Sequence, residues 1–210
     1  MPMRRNPALL LAALLLAPLA LAGCGTDKPT RLYKLSPVAE NAEGTSPRGV
    51  AIGVGPITLP KYLDRPQIVT RVAANSLDQA NLDQWGGDLN DNITRVVATN
   101  LSNLLATDRI SFYPWKDGAP LDYQVTMDIS RFEQDKDGNA VLNVFWSIIN
   151  PKDGTVLLMR RSSYSQSAGE PASSQSDNPR PFDAQAAAMS RDLALLSNDI
   201  ATAITGLKGI

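Results

Sequence analysis

The chain has 210 residues, a formal net charge of −1, one cysteine and no histidine. A near-neutral charge balance gives no basic surface for nucleic acid. The absence of histidine excludes Ser-His-Asp and Cys-His catalysis and removes the commonest metal ligand. Because a single cysteine cannot close an internal disulfide, an apolar core must supply the stability of the fold.

The N-terminal segment has the parts of a secretory signal peptide. Arg4 and Arg5 precede an apolar run, residues 8–22, built almost wholly of leucine and alanine. A charged start, a short apolar stretch and small residues before a cleavage site are typical of such peptides. The run closes in Leu-Ala-Gly-Cys, which resembles the bacterial lipobox, with cleavage between Gly23 and Cys24. We therefore predict a lipoprotein whose only non-protein group is acyl lipid on Cys24, with no other cofactor and no metal.

Two other interpretations of this segment are weaker. A membrane-spanning helix needs about 20 apolar residues, whereas the run 8–22 has 15 and contains Pro18. A plain secreted protein would leave Cys24 as a free thiol in an oxidising compartment. Gly25 follows the cysteine. An aspartate at this position would instead resemble an inner-membrane retention signal. We therefore expect an outer-membrane anchor, with the protein facing the periplasm.

We expect three parts in the chain: a signal peptide (1–23), a lipidated tether (24–30) and a single domain (31–210). In the domain, two glycines of the second strand, Gly53 and Gly55, indicate a close approach of other groups to the backbone. The strand 141–149 is apolar on both faces, so it is central or covered on both sides. Apolar alternation predicts six strands, at 31–35, 50–57, 67–72, 122–130, 141–149 and 155–166.

Two helices are predicted from apolar stripes at three- and four-residue steps. The first begins near Trp85, and its stripe consists of Leu89, Ile93, Val96, Val97, Leu101, Leu104 and Leu105. The second begins beside Asp183, and its stripe consists of Phe182, Ala186, Met189, Leu193, Leu196, Ile200 and Ile204. Asp-Gly pairs at 137–138 and 153–154 predict hairpin turns. Together these elements predict an α+β fold: a mostly antiparallel mixed sheet of six or seven strands with two long amphipathic helices packed on one face.

Several segments together resemble the ABC-type transport auxiliary lipoprotein family, whose members are PqiC-like. The run 54–71 carries the resemblance through its order of proline, aromatic residue, charge pair and proline. Shorter segments fit it as well: Leu32–Pro37, the helix after Trp85 with Asn100-Leu101, and Tyr113-Pro114-Trp115. The resemblance implies a non-enzymatic outer-membrane lipoprotein of an intermembrane lipid-transport system. It also implies a PqiB-like MCE-domain periplasmic partner and a ring-forming homo-oligomer.

The candidate partner contacts are Tyr62, Leu63, Asp64 and Arg65, in a turn stiffened by prolines, and Trp115 near the end of a strand. Rigid exposed aromatic residues lose little entropy on binding, which favours a contact surface. The alternative is that the tyrosine and leucine fold onto the core while the aspartate and arginine form a local ion pair.

An enzyme is the weakest of the functional hypotheses. Glycosidases need two carboxylates at a set separation across a cleft. The candidate pairs here are Asp122 with Asp128 and Asp135 with Asp137. Both pairs lie where strand edges and hairpins ordinarily carry solvated acidic side chains. Two non-enzymatic functions remain: a docking component of an MCE-type lipid-transport system, or a cofactor lipoprotein of outer-membrane assembly or cell-wall synthesis.

Overall fold

The computed structural model describes residues 29–38, 49–115, 118, 120–170 and 180–208. Within them a single sheet of eight strands is accompanied by two helices. The strands are β1 (Arg31–Tyr33), β2 (Ile52–Thr58), β3 (Gln67–Ala73), β4 (Ser76–Trp85), β5 (Ile110–Phe112), β6 (Tyr123–Gln134), β7 (Asn139–Ile149) and β8 (Val156–Ser167). The helices are α1 (Leu89–Leu104) and α2 (Asp183–Lys208). The α+β class is therefore confirmed.

The sheet is mixed, and its two longest ladders, β6–β7 and β7–β8, are antiparallel. The β3–β4 ladder is also antiparallel, whereas β1–β4, β2–β5, β2–β6 and β3–β6 are parallel. Strand β6 is shared, because its first half pairs with β2 and its last residue, Gln134, pairs with Thr70 of β3. The two predicted hairpin turns are present, with positive φ at Gly138 and Gly154, which glycine adopts without strain.

Both helices pack on one face of the sheet. Helix α2 contacts β6, β7 and β8, and α1 contacts α2, β2 and β5. All seven positions of the predicted α2 stripe are buried, and so are five of the seven in α1, where Leu104 and Leu105 are half-buried. Helix α2 packs on β7, whose inner residue Trp146 is 1% exposed. Apolar burial of this kind is the main favourable term in folding.

The structure differs from the sequence expectation in two places. Strands β4 and β5 were not predicted, so the sheet has eight strands rather than six or seven. Trp85 ends β4 instead of leading a helix, and α1 begins at Leu89. Strand β7 is central, between β6 and β8, which agrees with the first of the two predicted alternatives, and its outer face is open at Phe145, which is 47% exposed.

Candidate functional site

A continuous depression runs along the N-terminal half of α1. Three adjoining cavities form it, and neighbouring cavities share lining residues, among them Ile57, Asn90 and Asp91. One part has a volume of about 620 Å³ and lies between α1, β2 and β5. We call the whole depression the α1 groove. One end is walled by Asp64, Asp88 and Asp91, and the other by Phe112, Tyr113 and Trp115.

The aromatic end of the α1 groove is formed by β5 and the residues after it. Phe112 and Tyr113 are 44% and 52% exposed, and Trp115 is half-buried. The Tyr113 and Trp115 rings meet edge to face with their centroids 5.5 Å apart, a favoured aromatic geometry. The guanidinium of Arg95, on α1, lies 5.6 Å from the centroid of the Phe112 ring, in a cation–π contact. These contacts hold large exposed rings in fixed positions.

Two glycines of β2 make room for this aromatic end. A Cβ atom at Gly53 would lie 2.6 Å from the Trp115 ring. A Cβ atom at Gly55 would lie 2.7 Å from Cβ of Tyr113, and the φ of Gly55 is +116°. Both distances are too short for a real side chain, so the Trp115 ring and the Cβ atom of Tyr113 pack directly on the strand backbone. The predicted close approach at Gly53 and Gly55 is confirmed, and Tyr113 and Trp115 are the groups that approach.

The acidic end of the α1 groove combines a helix start with a turn. Asp88 caps α1, since its carboxylate accepts the backbone N–H of Asp91 at 2.9 Å. Asn90 donates from Nδ2 to the carbonyl oxygen of Ile57 at 2.7 Å, which ties the helix to β2. Asp64 reaches this wall from the turn after β2 and is exposed, as is Asp91. The segment Gly-Gly-Asp, residues 86–88, therefore ends in a functional N-cap for α1.

The turn that carries Asp64 is fixed by a buried carboxylate. The hydroxyl of Tyr62 donates to Oε2 of Glu133 at 2.8 Å, and Leu63 is only 3% exposed. Glu133 is fully buried, and its Oε1 also accepts Nε of Arg71 at 2.7 Å and Nε of Arg131 at 2.8 Å. Burial, together with the hydrogen bond to Glu133, raises the pKa of Tyr62 well above its ordinary value.

The structure distributes the predicted contact residues between the core and the groove. Tyr62 and Leu63 turn toward the sheet, while Asp64 and Arg65 are exposed. Among the described residues no ion pair joins those last two; Arg65 donates from Nη1 to the side-chain oxygen of Gln79 instead. Asp64, Arg65 and Trp115 all line the α1 groove. Gly23 and Cys24 lie outside the described residues, so the lipidation site stays a prediction.

Sequence reasoning did not find several residues of the groove. Asp91 and Arg95 lie outside the apolar stripe of α1, on its exposed face, and a neighbouring wall makes that face part of a groove. Phe112 and Tyr113 were missed because β5 is only three residues long. The adjacent aromatic residues at 112, 113 and 115 were the available signal.

The described residues contain no group of three acidic or thiol side chains arranged to hold a metal ion. None of the helices in this part of the chain combines the length and the apolar character needed to cross a membrane. The α1 groove presents aromatic rings, an arginine and carboxylates to an incoming molecule. These groups suit non-covalent recognition.

Comparison with known proteins decides the family. The model of the family described as "ABC-type transport auxiliary lipoprotein component" matches residues 33–201, which include the whole α1 groove. The chain belongs to this family. The lipoprotein is thus a transport auxiliary component, in a family that is not a known enzyme family, and membership is consistent with membrane anchoring. None of the curated proteins matches the sequence.

Solved structures share the fold of the lipoprotein. A protein from Xanthomonas campestris of the DUF330 family is 18% identical with a TM-score of 0.64, over 85% of this chain and 98% of that one. An uncharacterized protein is also 18% identical with a TM-score of 0.64, over 84% of this chain and 99% of that one. A PelC dodecamer from Paraburkholderia phytofirmans is 13% identical over 77% of this chain and 93% of that one. Its TM-score of 0.40 does not establish a shared fold.

Proposed function

We propose that the protein is an outer-membrane-anchored periplasmic lipoprotein that acts as a non-enzymatic docking component of an MCE-type intermembrane lipid-transport system. Its partner is a PqiB-like MCE-domain protein, and several copies assemble into a ring. Family membership supports the transport role. The lipobox-like sequence ending at Cys24 supports the anchor. The outer-membrane location, the MCE-domain partner and the ring are inferred from the resemblance of the run 54–71 to this family.

The α1 groove is the structural feature that supports the docking role most strongly. Its exposed rings, Phe112 and Tyr113, lie next to fixed polar groups on α1. Contact surfaces of proteins are enriched in aromatic residues and arginine, and a few such residues supply most of the binding energy. A site of this composition, on a domain held close to a membrane, suits the capture of a periplasmic protein.

Site-specific photo-crosslinking in living cells tests this proposal. A photoreactive amino acid is placed at Asp64 or Tyr113, in the groove, and in control strains at Phe145 or Met159, which are exposed outside it. We expect the groove positions to crosslink to an MCE-domain protein, identified by mass spectrometry, and the control positions not to. Crosslinks to an outer-membrane barrel or a peptidoglycan synthase would instead favour the assembly or cell-wall function.

A further inference from the structure

The geometry points to a two-part peptide site in the α1 groove. The acidic end takes a basic side chain, and the aromatic end takes an apolar side chain, of one extended segment of a partner protein. This inference rests on the proposed docking function and specifies the chemistry that the docking segment carries.

The acidic end attracts a basic side chain because no cation of the described residues forms an ion pair with its carboxylates. Asp64 and Asp91 are both exposed and face the same cavity from different elements. Acids at a helix start stabilise the helix, which accounts for Asp91 but not for Asp64, since the latter comes from the turn after β2. The cations that line the groove are engaged elsewhere: Arg65 binds Gln79, and Arg95 lies over Phe112. A lysine or arginine of a partner would complement this wall.

The aromatic end provides the apolar contact. Tyr113 is 52% exposed, yet its ring is held edge to face against Trp115, and the backbone of Gly55 lies directly behind its Cβ. Ordering such a ring costs little when a partner binds, because its position is already fixed. The neighbouring ring of Phe112 is exposed on one side and covered by Arg95. A single large apolar side chain of a partner would bury these rings.

The distance between the two ends sets the spacing in the partner segment. Asp88 and Arg95 mark the two ends on α1, and seven residues of helix span about 10 Å at 1.5 Å per residue. An extended segment in the polyproline II conformation advances about 3.1 Å per residue and returns to the same face every third residue. A basic and an apolar residue three positions apart in such a segment would therefore reach both ends together.

A labelled synthetic peptide tests the two-part site directly. The probe is a short glycine–serine peptide with a lysine and a tryptophan three positions apart, titrated into the full-length protein in mild detergent and followed by fluorescence anisotropy. We expect its affinity to exceed by about tenfold that of control peptides in which glutamate replaces the lysine or serine replaces the tryptophan. Binding should weaken from about 0.05 M to about 0.5 M salt, since salt screens exposed charges.

Variants of the protein distinguish specific binding in the α1 groove from nonspecific peptide binding. Asp64→Asn and Tyr113→Ala should each weaken probe binding about tenfold, whereas the matched changes Asp108→Asn and Phe145→Ala, at exposed positions outside the groove, should not. The double variant Asp64→Lys/Asp91→Lys, which makes the acidic end positive overall, should reverse the preference toward the glutamate peptide, and this gain of binding could not arise from misfolding.

Three results would overturn the inference: equal binding of all peptides, equal effects of groove and control variants, or self-association of the protein through the groove in place of peptide binding. Suppose that any one of these results occurs while photoreactive residues at Asp64 or Tyr113 still crosslink to an MCE-domain protein in cells. The two-part chemistry is then wrong, and the docking function stands. If the peptide binds as expected and no MCE-domain protein is crosslinked, the groove has this chemistry but serves another partner.

Discussion

Two buried carboxylates illustrate how single residues shape this domain. Glu133 accepts hydrogen bonds from three side chains, those of Tyr62, Arg71 and Arg131, and from the backbone N–H of Phe132. A buried charge is tolerated when it is paired and hydrogen-bonded in this way. The network fixes the turn that carries Asp64, so a buried residue of the sheet determines the position of an exposed residue of the α1 groove.

Asp192, on α2, is the opposite case. It is fully buried, and neither of its carboxylate oxygens has a hydrogen-bond partner among the described residues. Burial raises the pKa of Asp192 from 3.8 to about 7, and the positive charge of Arg191 opposes this effect weakly. The charged form is therefore costly in the folded protein.

Asp192 should make stability depend on pH. Below about pH 4 the side chain is protonated in both the folded and the unfolded state, so it contributes nothing. As the pH rises, it ionises first in the unfolded chain, and the free energy of unfolding falls by about 4 kcal/mol up to about pH 7, then levels off. We expect Asp192→Asn to remove this fall, as measured by urea unfolding across the pH range.

The matched control for Asp192→Asn is Asp128→Asn, which changes an exposed acid of β6. This control should keep the fall in stability between about pH 4 and about pH 7 that the unsubstituted protein shows. A pH profile of Asp192→Asn that parallels the unsubstituted protein would show that another group causes the dependence.

At the scale of elements, the first strand is the connection between the predicted tether and the domain. Strand β1 has only three residues and pairs with the end of β4. Asp83 of β4 is fully buried and accepts Nε and Nη2 of Arg31 at 2.6 and 2.7 Å, and the hydroxyl of Tyr33 at 2.8 Å. The Tyr33 ring also meets Phe182, beside α2, edge to face. Side chains rather than a long ladder hold β1 in place.

Removing the charge of Asp83 should loosen β1 before the rest of the domain. Asp83→Asn loses the two-pronged pair with Arg31, and we expect a loss of about 1–3 kcal/mol in the free energy of unfolding. Amide hydrogen exchange in residues 31–35 should rise by about tenfold while exchange in β7 changes little. The control is Asp78→Asn, in the exposed part of β4. Uniform acceleration across the sheet would contradict a local role for Asp83.

The elements differ in how well their sequences predict them. The apolar stripes of α1 and α2 are long and periodic, so their buried positions could be predicted. Strand β4 could not, because its first four residues are exposed and polar Asp83 occupies a core position. Its burial depends on Arg31, far away in the chain. The α1 groove was hidden for the same reason: its walls come from separate elements, and only the fold places Asp64 near α1.

At the scale of the whole molecule, the predicted anchor and the α1 groove belong to one arrangement. Thr30 lies six positions after Cys24, and six residues of chain span at most about 22 Å. A domain of this size has a radius of gyration of about 16 Å. Lipid on Cys24 would therefore keep the whole domain, including the groove, within a few tens of ångströms of the bilayer, which raises the effective concentration for a partner at that membrane.

Replacing Cys24 should release the protein from the membrane and leave the groove intact. The Cys24→Ser chain is expressed with an ordinary cleavable secretory leader in place of residues 1–23, so that an uncleaved signal peptide cannot act as an anchor. Stable anchoring needs more than one acyl chain, and this variant has none. We expect it in the soluble periplasmic fraction, with unchanged binding of the lysine–tryptophan peptide. If it stays with the membranes after a high-salt wash, something other than lipid on Cys24 holds the protein there.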